Sequence, residues 1–341
     1  MKNKLKAGIM IFLTIAGLTA CGNVEEKETV SGITEEIEIT SLEQTSEAFE
    51  TEDIKEEETF NTEMTMTEEE ADPYMEFLAG REPLYFHNYM HSSYEGTFYE
   101  FEKGYTLDEI IDILKSGYGL EKEPTITYAE MDCGNDQIKE LAVCFHGMNI
   151  YEPDDDSTLV YIIKNIDSEL ELCYEYETWA RSYSTINYYG YYTSGGSNGA
   201  TNHGYNSGYV DGSGNWNFIN YTEEEMDIEQ LSWNDTLGKI PEIAATKTYE
   251  GSIVFLTTNF EEIATEEDYY NVERFYSFDV YDPEYTDSDL YTTSVYQQIF
   301  DEAGVTVYSL DEIDNMILER EEELGITETI KNGPELIWLS E

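Results

Sequence analysis

Positive charge is what this chain lacks most. Its 341 residues hold 17 Lys and Arg against 74 Asp and Glu, a formal net charge of −57. That excludes nucleic acid as a natural partner, because a phosphate backbone is held by Lys and Arg. It also opposes lying flat on an anionic bilayer. Cysteine is nearly as scarce: Cys21, Cys133, Cys144 and Cys173 are the four. Cys21 stands apart in the N-terminal segment, and the remaining three cannot pair completely, so no disulfide framework is expected. No apolar run approaches the ~18 residues of a membrane-spanning helix. No G-x-x-x-x-G-K-[ST] or G-x-G-x-x-G phosphate loop is present, and no G-x-S-x-G nucleophile elbow.

What is present begins with a leader. Lys2, Lys4 and Lys6 form a positive n-region, and residues 7–17 (AGIMIFLTIAG) form an apolar h-region too short to span a bilayer. It ends in Leu18-Thr19-Ala20-Cys21. This run of an aliphatic residue, two small residues and a cysteine resembles the lipobox of bacterial lipoproteins. The resemblance implies cleavage before Cys21 and lipidation of that cysteine. The domain would then be anchored on the outer face of the bacterial cytoplasmic membrane. Several acyl chains hold a protein stably where one does so only marginally.

Residues 22–72 carry 19 Asp and Glu against Lys27 and Lys55, with nine Thr and no Tyr, Trp or Cys. Such a segment buries too little apolar surface to offset its ordering entropy and is expected to be an extended, disordered linker. All 29 tyrosines lie beyond it. The division expected is therefore signal peptide 1–20, lipidated Cys21 with an acidic linker to residue 72, and a tyrosine-rich globular domain over 73–341.

Within that domain the patterns predict an α+β fold, an antiparallel sheet or meander with helices near both ends. A short helix is expected at 73–79. Thr106 and Glu109 form a capping box ahead of the stripe Leu107, Ile110, Ile111 and Leu114, which predicts a helix over 106–116 that Gly117 ends. Period-two runs predict strands at 126–132, 139–146, 158–164 and 169–177. One face collects Ile126, Tyr128, Leu141, Val143, Phe145, Leu159, Tyr161, Ile163, Leu170, Leu172 and Tyr174. The other collects His146, Lys164, Glu171 and Glu175, so one buried side is expected. This register sets Cys144 and Cys173 two strands apart, about 10 Å, beyond disulfide reach. Three free thiols follow. Asp211-Gly212-Ser213-Gly214-Asn215 predicts a hairpin turn between 203–210 and 216–221. Further on, a short helix is expected near 223–231, strands at 251–258 and 269–281, and helices near 288–303 and 310–324. Ser309 and Glu312 cap the last of these.

Two stretches suggest chemistry. Residues 183–221 interleave Gly, Ser and Asn with aromatics, a composition suited to recognition, since a tyrosine offers a wide ring with a polar tip. Tyr189, Tyr191, Tyr205 and Trp216 are the candidate ligand-binding residues; a half-buried polar meander is the structural alternative. The run Asp132-Cys133-Gly134-Asn135-Asp136-Gln137-Ile138-Lys139-Glu140-Leu141 resembles the D-x-D-G-D-G-x-x-E-L calcium hairpin of extracellular repeats. Asp132, Asp136 and Glu140 match it. Gly134 stands where that motif has its second Asp, and Gln137 where it has its turn glycine. The leading reading is a plain hairpin turn with no cofactor expected, and a weak calcium site is the alternative. Asp154, Asp155 and Asp156 read as a solvated turn. His87 and His91 are spaced as zinc ligands, but the run HNYMH lacks the glutamate of H-E-x-x-H.

The signal, spacer and turn together resemble acidic surface lipoproteins of anaerobic Gram-positive bacteria, which implies location rather than activity. The function expected is a non-enzymatic binding module, its partners the membrane through the lipid and a glycan or surface protein through the domain. A polysaccharide hydrolase and a transporter's solute-binding lipoprotein are the alternatives. The last lacks the strand–helix alternation of a two-lobed α/β chain.

Overall fold

A computed structural model describes residues 72–87, 99–100, 103–150, 157–231, 237–263, 266–281 and 287–340. The signal, the linker up to residue 71, His91 and Asp154–Asp156 lie outside them. The described residues form an α+β unit of two sheets. None of its helices is long and apolar enough to cross a membrane.

The chain opens with α1 (Pro73–Leu78), whose N-cap Asp72 accepts from the Tyr74 amide. Two short strands follow, β1 (Leu84–Tyr85) and β2 (Gly104–Tyr105), then α2 (Leu107–Gly117). The Thr106–Glu109 capping box forms as expected and stabilises the helix by about 1 kcal/mol. Gly117 is helical; the left-handed residue that closes the turn is Gly119, with φ 64°. The four expected strands appear as β3 (Thr125–Met131), β4 (Glu140–His146), β5 (Thr158–Ile166) and β6 (Glu169–Thr178), paired antiparallel in sequence.

A second meander follows: β7 (Ser182–Ile186), β8 (Tyr191–Ser197), β9 (Asn202–Val210) and β10 (Trp216–Glu225). The turn at 211–215 falls where expected, with Asp211 Oδ1 accepting from the Ser213 and Asn215 amides at 2.8 and 2.9 Å. Then come α3 (Lys239–Ala244), β11 (Ser252–Asn259), α4 (Glu266–Asn271), β12 (Phe275–Tyr281), α5 (Asp287–Leu290), α6 (Val295–Ala303), α7 (Leu310–Glu323), α8 (Glu328–Lys331) and β13 (Leu339–Ser340). The first sheet runs β13-β3-β4-β5-β6-β1-β2 and the second β12-β11-β10-β9-β8-β7.

Five expectations are corrected. The first sheet is buried on both faces. Its expected face does pack under α2, with Leu141, Val143, Phe145, Leu159, Tyr161 and Ile163 against Leu107, Ile110 and Leu114. The reverse face carries Ala129, Met131, Ala142, Cys144, Val160 and Ile162, and these meet Ile186, Tyr192 and Val210 of the second sheet. Tyr174 belongs to that inter-sheet layer because β6 carries a bulge. Ile163 pairs with Leu172 and Ile162 with Tyr174, leaving Cys173 as the extra residue; one extra residue reverses which way the following side chains point.

The acidic stretch 223–231 is no helix. Glu223, Glu224 and Glu225 end β10, paired on both sides, and only Ile228–Gln230 make one 3₁₀ turn. The 269–281 segment is strand only from Phe275, and 288–303 is broken before Ser294, whose hydroxyl caps α6. The helix expected at 310–324 stands as α7 with its Ser309–Glu312 capping box, and Gly325 closes it at φ 74°. Cys133, Cys144 and Cys173 are free thiols, as expected.

Candidate functional site

The aromatic segment is divided by strand parity. On one face of the second sheet, Trp216 and Tyr192 point at the first sheet. Trp216 lies flat on Tyr174, ring centroids 3.7 Å apart at 8°, and meets Tyr192 edge-on at 5.6 Å. Its Nε1 donates to Glu262 Oε1 at 3.3 Å. A Cβ on Gly208 would collide with that indole, so the glycine makes room for the ring.

On the other face, one end is covered by α7 and α8. Tyr209 and Ile219 pack there against Ile326 and Ile330, with Tyr189, Tyr191, Ile317 and Leu324 around them. The Tyr191 hydroxyl donates to Glu321 Oε1 at 2.7 Å, and Lys331 Nζ donates to Glu321 Oε2 at 2.7 Å. Glu321 is thereby satisfied although buried. Burial, and then the Glu321 charge, push the Tyr191 phenol well above its ordinary value. Tyr189 is half-buried and T-stacked with Tyr188 at 5.4 Å.

The far end of this outer face is open. Tyr183 pairs in register with Gly195, and Gly195 with Tyr205. The Tyr183 ring lies over the glycine, its nearest carbon 2.6 Å from where a Cβ would stand. Tyr183 is 53% exposed and Tyr205 39%. The Tyr205 hydroxyl donates to Glu224 Oε2 at 2.9 Å. Burial first, then the Glu224 carboxylate, push the Tyr205 phenol up to about 12, with Tyr183 and Tyr281 adding to the effect. Strand alternation from Phe275 puts Ser277, Asp279 and Tyr281 on the same side.

Of the four candidate residues, the structure therefore leaves Tyr205 on the open face, Tyr189 and Tyr191 under α7 and α8, and Trp216 between the sheets. Tyr183 and Tyr281 were not singled out in the sequence. The alternation Tyr183, Thr185 and Thr193, Gly195 was available to find the first, once β7 and β8 were known to pair.

Changing Glu224 to Gln should lower the Tyr205 phenol, which absorbance at alkaline pH reads as the difference between each protein and its Tyr205→Phe counterpart. Below the unfolded value near pH 10 the stability linked to this phenol is fully present, and it is lost as pH rises through about 12. An unchanged midpoint in Glu224→Gln would show that the carboxylate does not act on the ring.

The hairpin turn at 132–141 is held by its own carboxylates. Asp132 Oδ1 accepts from the Gln137 amide at 2.9 Å and Asp136 Oδ1 from the Ile138 amide at 2.8 Å. Gln137 takes the turn glycine's role at φ 69°. Glu140 turns inward: Oε2 accepts from the Cys133 amide at 2.6 Å and Oε1 is paired with Lys164. Both charges are buried between the sheets, and Gly214 of the β9–β10 turn closes over Lys164 and Cys173. Burial is the main cause raising the Glu140 carboxyl. Burial, reinforced by Glu140, also raises the thiols of Cys133 and Cys173, the latter to about 12. A thiol held that high supplies little nucleophile at neutral pH. No group of three or more His, Cys, Asp or Glu among the described residues is arranged to hold a metal ion.

Comparison with protein-family models, with curated proteins and with solved structures finds no match.

Proposed function

We propose that this chain is a surface lipoprotein whose tyrosine-rich domain is a non-enzymatic binding module. The observation that carries the reading is the open end of the second sheet's outer face. There Tyr183 and Tyr205 stay exposed on either side of Gly195 while α7 and α8 bury the neighbouring tyrosines. A folded protein gains little by leaving adjacent rings in water, and such rings are characteristic of recognition surfaces. The lipobox-like Leu18-Thr19-Ala20-Cys21 supports placement on the outer face of the cytoplasmic membrane, and the acidic residues 22–72 would hold the domain away from anionic lipid.

Two measurements test the two halves. Cys21→Ser should abolish incorporation of labelled palmitate and release the protein from the membrane fraction; retention of label would remove the anchor. A glycan and surface-protein binding screen, run beside a polysaccharide hydrolysis screen, should give binding without turnover. Turnover that disappears when one carboxylate is changed would make the protein a hydrolase instead.

A further inference from the structure

We infer that the open tyrosine face binds cationic side chains, in the form of a lysine- or arginine-bearing segment of a partner protein. This names the ligand class for the binding module proposed above and rests on that reading. The six strands of the second sheet contain no lysine or arginine (SYSTI, YYTSGGS, NHGYNSGYV, WNFINYTEEE, SIVFLTTN and FYSFDVY). The outer side of that sheet instead presents Tyr183 and Tyr205 at its β7–β9 end and Tyr281 at the end of β12, exposed by 53, 39 and 60%, with Thr258 and Ser277 covered between them. Glu224 is tied to Tyr205, and alternation along β12 places Asp279 on this side. Ring faces carry the negative end of the aromatic quadrupole, and a cation within ~6 Å of a centroid is attracted to it. Carboxylates beside the rings add to that attraction, and the whole chain, at −57, concentrates basic partners around it.

The backbones of Tyr183 and Tyr205 stand two strands apart, about 10 Å by strand spacing, with the Tyr183 ring lying over Gly195 between them, and β12 lies three strands beyond β9. A single small amine meets one ring or a pair. A chain that presents several cations meets the row, and each further contact then forms at high effective concentration.

The test uses the full chain at about 0.15 M salt, where surface attraction beyond ~8 Å is screened. The probes are labelled decalysine, read by fluorescence anisotropy, and cellohexaose, read by calorimetry. The variant Tyr183→Leu/Tyr205→Leu keeps the charge and most of the apolar area but removes the rings. Both side chains are exposed, so an unchanged Tm is expected, and single Tyr183→Leu serves if the double variant unfolds. The charge control is Glu121→Gln/Glu123→Gln, two exposed acids in the α2–β3 loop.

Decalysine should bind the parent chain. The leucine variant should weaken it at least about fivefold, against less than about twofold for the charge control. Equal weakening by both variants, or by neither, would overturn the inference, because diffuse charge would then explain the binding. Cellohexaose bound by the parent and lost in the leucine variant, with decalysine unaffected, would also overturn it while upholding the binding-module reading. Loss of both readings would follow if neither probe bound.

Discussion

Lys164→Met should cost about 3–5 kcal/mol of folding stability, because it leaves the Glu140 carboxylate buried without its counter-charge. The pair is nearly sealed: Lys164 is 6% and Glu140 1% exposed. Its surroundings are the inter-sheet residues, the Cys133 amide and the glycines of the β9–β10 turn. Water cannot take over the role of the ammonium without opening that turn. The double variant Glu140→Gln/Lys164→Met should recover much of the loss. It buries no charge, and the Gln carbonyl still accepts from Cys133. Urea unfolding of the two variants beside the parent measures both values. A loss under about 1 kcal/mol for Lys164→Met, the range of an exposed pair, would mean that the layer is wet.

This pair also marks where the sequence stops being legible. The capping boxes at Thr106–Glu109 and Ser309–Glu312 could be read because the signal and the structure are local: a hydroxyl, an acid three residues on, and an apolar stripe behind them. The strands β3 to β6 could be read because alternation survives in them. Their second buried face could not. Lys164 looks like a solvent-side residue, and only the partner sheet shows that it is inside, neutralised by Glu140. β4 and β5 carried the hint, since Leu141–Phe145 and Leu159–Ile163 are apolar on both parities, as strands covered on both sides must be. The bulge at Cys173 was invisible for a related reason: it is a mismatch between two strands, not a property of one.

Composition misled twice. Glu223, Glu224 and Glu225 have good helix propensity, but β9 and β11 were waiting on either side, and pairing on both edges outweighs a few tenths of a kcal/mol per residue. The aromatic stretch 183–221 was recognisable as unusual, yet composition carries no parity. Whether a tyrosine there is exposed depends on which face its strand position takes and on where α7 and α8 settle, more than 100 residues later in the chain. Tyr191 and Tyr205 share a face and differ in fate for that reason.

Trp216 is the sharpest case, and it can be decided by one substitution. Trp216→Ala should lower stability by about 3–5 kcal/mol, the cost of emptying a packed aromatic site. The indole is stacked on Tyr174, braced by Tyr192 and fitted over Gly208, so its removal opens a void between the two sheets. Stacked rings contribute about 0.5–1.5 kcal/mol beyond their buried area, so Trp216→Leu should recover only part of the loss. Gly208→Ala should destabilise in the same direction, because the new methyl meets the indole. Were Trp216 instead a ligand platform, Trp216→Ala would leave the thermal midpoint in place and change binding alone. Thermal unfolding of the three variants, read beside decalysine binding, separates the roles. The packing role gives a fall in midpoint at every one of the three, with binding per folded molecule kept, because Tyr183 and Tyr205 lie on the opposite face of the same sheet.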